Sequence, residues 1–288
     1  MKVLIYGYKG WIGNMFIDIL KKMDIHYIEG NARADSIEMV SMEVETVNPT
    51  HIISFIGRTH GYGYTTIDYL EQKDKLYENV RDNLYGPYVL AYVAAQYNIH
   101  YTYLGTGCIF KYDGEHPFGI EENGFDEESK PNFFGSSYSV VKGFTDMMMH
   151  TMPHVLNLRI RMPITNVDNP RNFITKITTY KKICSIPNSM TVLSELLPYV
   201  VDMMKNKNTG TINFTNPGLI SHNEILGMYK ELVDPTFTWE NFTSEEQSMI
   251  LKADRSNNYL DTSKLTAMYP NIMNIKESVR LCLSNYKK

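Results

Sequence analysis

The chain opens on an unbroken apolar run, Lys2 to Tyr6 (KVLIY), then a glycine-punctuated turn (GYKGWIG) and an amphipathic stretch to Met23. An apolar run without alternation predicts a strand buried on both faces, and the helical spacing behind it predicts a helix packed on that strand. The pattern recurs. Strands are expected at His26 to Ile28, His51 to Phe55, His100 to Leu104 and Val155 to Arg159. Helices are expected from about Ser36, across Thr65 to Tyr97, and over Tyr138 to Met149. Pro87 after Gly86 predicts a break in the long helical region, because proline opens a helix more readily than it continues one. Strands alternating with helices predict an α/β fold of Rossmann type, with a doubly wound parallel sheet.

After about Met162 the pattern changes. A short strand at Thr211 to Phe214 mixes with helices and longer loops, and SHNE at Ser221 to Glu224 reads as a capping box, with TSEE at Thr243 to Glu246 as another. The division expected is a Rossmann domain over residues 1–162 and a smaller mixed α/β lobe, packed on it, over residues 163–288.

The 288 residues are 43% hydrophobic, enough to bury the core of one such protein. A net charge of −4 with scattered Lys and Arg argues against nucleic acid or an anionic membrane as partner. Cys108, Cys184 and Cys282 are odd in number and form no CxxC, and the N-terminus carries no signal peptide, so a reducing, cytoplasmic setting is expected. No run reaches membrane-span length. The eight histidines lack metal-binding spacing, so no metal is expected.

Gly7, Gly10 and Gly13, with Trp11 and Ile12 between them, form GxxGxxG directly after a buried strand and at the start of a helix. Glycines there admit a pyrophosphate close to the backbone, and the helix N-terminus favours its charge. The bland alternative is a tight turn without a ligand. An acidic residue after the second strand would favour NAD, and a basic one the 2′-phosphate of NADP. Glu29 and Arg33 both lie there; the reading taken is NADPH with Arg33 on the phosphate, with NADH or a solvated Arg33 as the alternatives.

YSVVK, Tyr138 to Lys142, places a phenol and an ammonium one helical turn apart. A neighbouring cation favours the phenolate and suits the phenol to acid–base work. YLEQK, Tyr69 to Lys73, has the same spacing, but it precedes the strand that leads to Thr106 and is read as a decoy on a surface helix. Thr106 and Cys108, in LGTGCIF, are two residues apart where a strand meets a loop, so they can face one pocket at the carboxyl edge of the sheet. A packing cysteine and a strand-forming threonine are the plain alternatives.

On these residues the chain resembles the extended short-chain dehydrogenase/reductases of nucleotide-sugar metabolism. It is most similar to the bifunctional 3,5-epimerase/4-reductases that complete UDP-L-rhamnose synthesis. LIYGYKGWIG, TGCIFKYD, RIRMPITNVDNPRNFITKI, IPNSMTVLSELLP, NFTNPGLISHNEIL and RSNNYLDTSKL carry the resemblance over nearly the whole chain. SFIGRTHGYG departs from it, standing where the family has an Asn-Ala-Ala-Gly type of start.

The resemblance implies a UDP-4-keto-6-deoxy sugar as substrate, a reductase triad of Thr106, Tyr138 and Lys142, and a proton-exchanging Cys108. It points to Lys176 as second acid–base, against a surface or phosphate-binding lysine. Asn83 would support the cofactor. Asn166, Asn172, Arg255, Asn257 and Asn258 would meet the substrate. It also implies a homodimer and a separate 4,6-dehydratase upstream, since this chain has one Rossmann unit. The rivals are a 4,6-dehydratase or 4-epimerase, a 4-reductase alone, and a non-enzymatic dinucleotide sensor. Gly107-Cys108 in place of the Asp-Glu of a dehydratase, and the presence of both Tyr138 and Lys142, argue against the first and the last.

Overall fold

The apolar run at the start is strand β1 (Lys2–Tyr6), buried from Val3 onward in a computed structural model that describes residues 1–287. Helix α1 (Trp11–Lys22), β2 (His26–Glu29), α2 (Ile37–Val47) and β3 (His51–Ser54) follow. The Ser36 hydroxyl caps α2 by accepting from the Met39 amide, and Asn48 ends it in the left-handed region at φ 47°. β1 pairs in parallel with both β2 and β3, so the order of strands reverses there. Open α/β sheets bind their ligands beyond the carboxyl ends of strands at such a reversal.

The long helical region differs from expectation. Residues Ile67–Glu71 form a separate 3₁₀ turn, and helix α3 (Leu76–Val80) then runs through a π-helical turn, Arg81–Tyr85, into α4 (Gly86–Gln96). The regular α-helix is interrupted just before Pro87, and α4 opens at Gly86 with Pro87 in its first turn, as expected. A second interruption, which the sequence did not mark, falls between the 3₁₀ turn and α3. Tyr69 is likewise buried, not on a surface helix. It donates to Glu78, and Lys73 lies beyond the turn, so YLEQK makes no helical pair.

Strand β4 (His100–Thr106) is two residues longer than expected and ends on Thr106. Helix α5 (Ser137–His150), β5 (Val155–Ile160), the short strands β6 (Pro163–Ile164), β7 (Lys182–Ile183) and β8 (Thr191–Val192), and the helices α6 (Phe173–Thr179) and α7 (Leu193–Lys205) lead to β9 (Gly210–Asn213). The described residues form a six-stranded sheet in the order β2-β1-β3-β4-β5-β9, with β3 and β4 parallel. Helix α8 (His222–Leu232), β10 (Glu240–Asn241), α9 (Ser244–Ser248), α10 (Ser263–Met268) and α11 (Ile275–Ser284) complete the chain, and both capping boxes form, at Ser221 and Thr243.

The chain groups into two compact units. The first comprises Met1–Thr106, Ser136–Arg159 and Leu197–Ile212, and the second Gly107–Gly135, Ile160–Leu196 and Asn213–Lys288. The first packs Leu4, Val40, Ile52, Val89, Leu90 and Tyr101 into one core. Full burial of each aliphatic side chain contributes about 1.5–3 kcal/mol. The second has its own core around Ile164, Ile174, Met190, Ile225, Leu226 and Val279. Among the described residues no helix is long and apolar enough to cross a membrane, and no group of His, Cys, Asp and Glu could hold a metal ion.

Candidate active site

The glycine turn is a cradle that side chains would fill. Gly7 has φ 76°, and a Cβ on it would lie 2.8 Å from the carbonyl carbon of Phe55; a Cβ on Gly13 would lie 2.5 Å from the oxygen of Gly7. Gly10 is the N-cap of α1 and offers no side-chain acceptor, so the first-turn amides, at Trp11, Ile12 and Gly13, lack a side-chain cap. This open helix start at the strand reversal suits a pyrophosphate.

Beyond β2, Glu43 accepts from the amides of Asn31 and Ala32 and from the Tyr6 hydroxyl. Arg33 forms a two-point pair with Asp35, at 3.0 and 2.6 Å. Arg33 and Arg81 both line a cleft of about 220 Å³ with Asp35 and Asp82, and Arg81 pairs with Asp82 at 2.7 Å. Asn83 is fully buried. Its amide accepts from the Arg58 N–H and donates to the Arg58 carbonyl and to Asn79. Arg58 also pairs with Asp82 at 2.8 Å. The unusual SFIGRTHGYG segment is thus pinned to the π turn, and Asn83 acts on that loop.

Ser136 caps α5 by accepting from the Ser139 amide. Tyr138 and Lys142 lie one turn apart on its buried face, at 8% and 4% exposure. The Lys142 ammonium donates to the hydroxyl of Tyr103 at 2.5 Å. Burial, and then the charges of Tyr101, Tyr138 and Asp146, push the Tyr103 phenol well above its ordinary value, so it accepts as a neutral hydroxyl. Thr145 anchors the helix by donating to the Asn83 carbonyl, and Asp146 makes a buried bidentate pair with Arg159 at 2.9 and 2.7 Å. The helix that carries the Tyr–Lys pair is therefore fixed at three points.

In the second unit, Cys108 is half-buried and in no disulfide. Its turn is gripped from one side. The Asn258 amide donates to the carbonyls of Gly107 and Phe110, both at 2.9 Å, and the Ser256 hydroxyl donates to the Phe110 carbonyl at 2.6 Å. Lys176 lies on α6, and burial first, then the charges of Arg171 and Arg255, lower it from the ordinary lysine range. Arg255 and Asn257 line a cleft of about 430 Å³ with Lys111, Tyr112, Phe133 and Ile186.

The chain is 57% identical over all 288 residues to protein L780 of Acanthamoeba polyphaga mimivirus, covering 99% of it. It is 44% identical over 277 residues to the bifunctional dTDP-4-dehydrorhamnose 3,5-epimerase/dTDP-4-dehydrorhamnose reductase of Arabidopsis thaliana, covering 96% of this chain and 90% of the other. This chain belongs to the bifunctional 3,5-epimerase/4-reductase family. The crystal structure of the L780 UDP-rhamnose synthase superposes with a TM-score of 0.96 over 99% of both chains. A dTDP-4-dehydrorhamnose reductase from Bacillus anthracis, solved in complex with NADP, shares the fold alone, at 16% identity and a TM-score of 0.77 over 98% of both chains. No protein-family model matches the chain. Both the expected fold class and the expected family hold.

In this epimerase/reductase, several residues read from the sequence are engaged with the protein's own backbone. Asn172 is fully buried. It caps α6, accepts from Ile174 and Thr165, and donates to the carbonyls of Thr165 and Val167. Asn258 is fully buried on the Cys108 turn. Both hold scaffold carbonyls, and the Asn258 side-chain oxygen is buried without a hydrogen-bond partner. Asn166 reaches the Asn285 carbonyl at 3.4 Å. Tyr103, Arg81 and Arg161 were missed. Tyr103 reads as a core aromatic in HYTYLGT and Arg81 as a helix-surface charge; only Arg161, a charge just past the apolar strand Val155–Ile160, carried a signal.

Proposed function

We propose that the chain epimerises C3 and C5 of UDP-4-keto-6-deoxy-D-glucose and reduces C4 with NADPH, giving UDP-L-rhamnose. The observation that carries this reading is full-length kinship with a UDP-rhamnose synthase, at 57% identity. The glycine cradle fits a nicotinamide dinucleotide, and such a cofactor supplies the hydride. Gly7, Gly10, Trp11, Ile12 and Gly13 would hold its pyrophosphate. Arg33, joined by Arg81 in one cleft, supports a 2′-phosphate and hence NADPH.

In this reading Thr106 donates a hydrogen bond to the C4 oxygen and Tyr138 delivers the proton that completes the alcohol. Lys142 holds the phenol in its reactive state and binds the nicotinamide ribose. Cys108 and Lys176 exchange protons at the carbons beside the ketone, which a C4 carbonyl acidifies. A lowered lysine suits a base near neutral pH. Arg255 and Asn257 contact the nucleotide diphosphate. The 4-keto substrate must come from a dehydration at C5–C6, for which a separate 4,6-dehydratase is proposed. A homodimer and a cytoplasmic setting belong to the same reading.

The test is incubation in D2O with UDP-4-keto-6-deoxyglucose and NADPH, with NMR of the product. A rhamnosyl sugar deuterated at C3 and C5 is expected. A reduced sugar without deuterium at those carbons would leave a 4-reductase alone.

A further inference from the structure

Arg161 is 1% exposed and sits directly behind the turn that bears Cys108. Its guanidinium donates to the Gly107 carbonyl at 3.3 Å, to the Asn188 side-chain oxygen at 2.8 Å, and to the Ser256 carbonyl and hydroxyl at 2.9 and 3.4 Å. A Cβ on Gly107 would press on its Cγ and Cδ at 3.0 and 3.1 Å. All of these acceptors are neutral. Its Nε is buried without a hydrogen-bond partner, and among the described residues no carboxylate pairs with it. A buried cation without a countercharge is costly, and such a charge persists in a fold only where something offsets it.

Burial lowers this guanidinium from its ordinary value, and the groups whose negative charge would raise it are Cys108 and Tyr112. The Tyr112 hydroxyl is engaged as a donor to the Pro187 carbonyl at 2.9 Å, and burial pushes it up to about 12. Cys108 directly follows Gly107, whose carbonyl the guanidinium holds at 3.3 Å, so its thiol stands on the turn that Arg161 backs. We propose that Arg161 is a positioning residue for epimerisation: a fixed buried cation whose countercharge is the Cys108 thiolate.

The inference rests on the reading of Cys108 as a proton-exchanging group. In that role the thiolate takes a proton from a carbon beside the ketone. The C–H pair enters the enolate, and the negative charge passes from sulfur to the C4 oxygen. In the reverse direction the thiol gives its proton back to carbon, and Arg161 stabilises the sulfur anion left behind.

Iodoacetamide reacts with thiolate, so it reads the Cys108 charge in the full-length protein without substrate, the modified peptide being identified by mass spectrometry. Arg161→Gln is expected to slow Cys108 alkylation at pH 7 about tenfold, and Arg161→Lys to keep it within about threefold of the parent. Deuterium exchange at the epimerised carbon is expected to follow the same order. Parental alkylation in Arg161→Gln, or a folded Arg161→Lys slower than threefold below the parent, overturns the inference. If Arg161→Gln does not fold, Arg161→Lys decides by that threshold. Exchange that survives Cys108→Ala would overturn the role of Cys108 instead, while alkylation still reports on Arg161.

Discussion

The Lys142 nitrogen lies 2.5 Å from the Tyr103 hydroxyl and 4.8 Å from the centre of the same ring. The contact fixes where the ammonium points on the buried face of α5. Tyr103→Phe keeps the ring and removes the acceptor. It is expected to lower kcat for NADPH oxidation about tenfold and to raise KM for the dinucleotide, since a misaimed lysine both binds and tunes less well. Steady-state kinetics across pH check this. A parental kcat and pH profile would make Tyr103 a packing residue.

Arg33 and Arg81 line one cleft, and the exposed Arg33 is engaged with the less exposed Asp35, which lines the same cleft. A 2′-phosphate can replace that carboxylate in the same two-point geometry. Arg33→Ser is expected to raise KM for NADPH tenfold or more with little effect on KM for NADH, and the wild-type preference for NADPH is expected to weaken with added salt. Equal losses with both cofactors would remove Arg33 from phosphate recognition.

His51 is buried against His100, with ring centres 5.3 Å apart. Its Nε2 meets the Met204 carbonyl at 2.9 Å, which assigns the proton to that nitrogen and leaves Nδ1 facing the Thr50 hydroxyl. Burial first, then His100, Lys207 and the N-terminal amine, lower it from 6.5 to about 4. Between those values the unfolded chain binds the extra proton, so stability rises with pH across that window. It is lost as pH falls from about 6.5 toward about 4, on the order of 3 kcal/mol from this one group. Chemical denaturation in steps from pH 7 to 4.5 measures the slope, and His51→Gln should flatten it.

Where local pattern and tertiary demand coincide, the residues read well. Gly7, Gly10 and Gly13 follow a fully apolar strand at the chain start, so their spacing could be placed in a strand–turn–helix, and the structure gives them the expected crowding. The Tyr138–Lys142 spacing was separable from Tyr69–Lys73 by position alone, although the decoy proved to be a buried 3₁₀ turn. Partners distant in sequence were not legible. Asn258 and Gly107 are 151 residues apart, and Lys142 and Tyr103 are 39 apart. An asparagine that holds a carbonyl and one that meets a sugar look the same in a motif. Pro87 marked the opening of α4, but the π turn before it had no sequence mark.

Lys176 gives the sharpest test of the epimerase half. Its ammonium is disfavoured by burial and by the cations of Arg171 and Arg255, so more of it is neutral near pH 7 than in an ordinary lysine. A base of this kind works on the alkaline side of its titration, and deuterium exchange at its carbon should rise with pH through that point. Arg171→Gln removes one neighbouring cation, favours the ammonium, and is expected to move the rising limb to higher pH with the plateau rate retained. Lys176→Met should lower exchange at one of the two carbons by a hundredfold or more, the ordinary weight of a general base. A Lys176→Met enzyme that exchanges both carbons at the parental rate but shows a raised KM for the sugar nucleotide would make Lys176 a phosphate ligand, and the second base would have to be sought elsewhere.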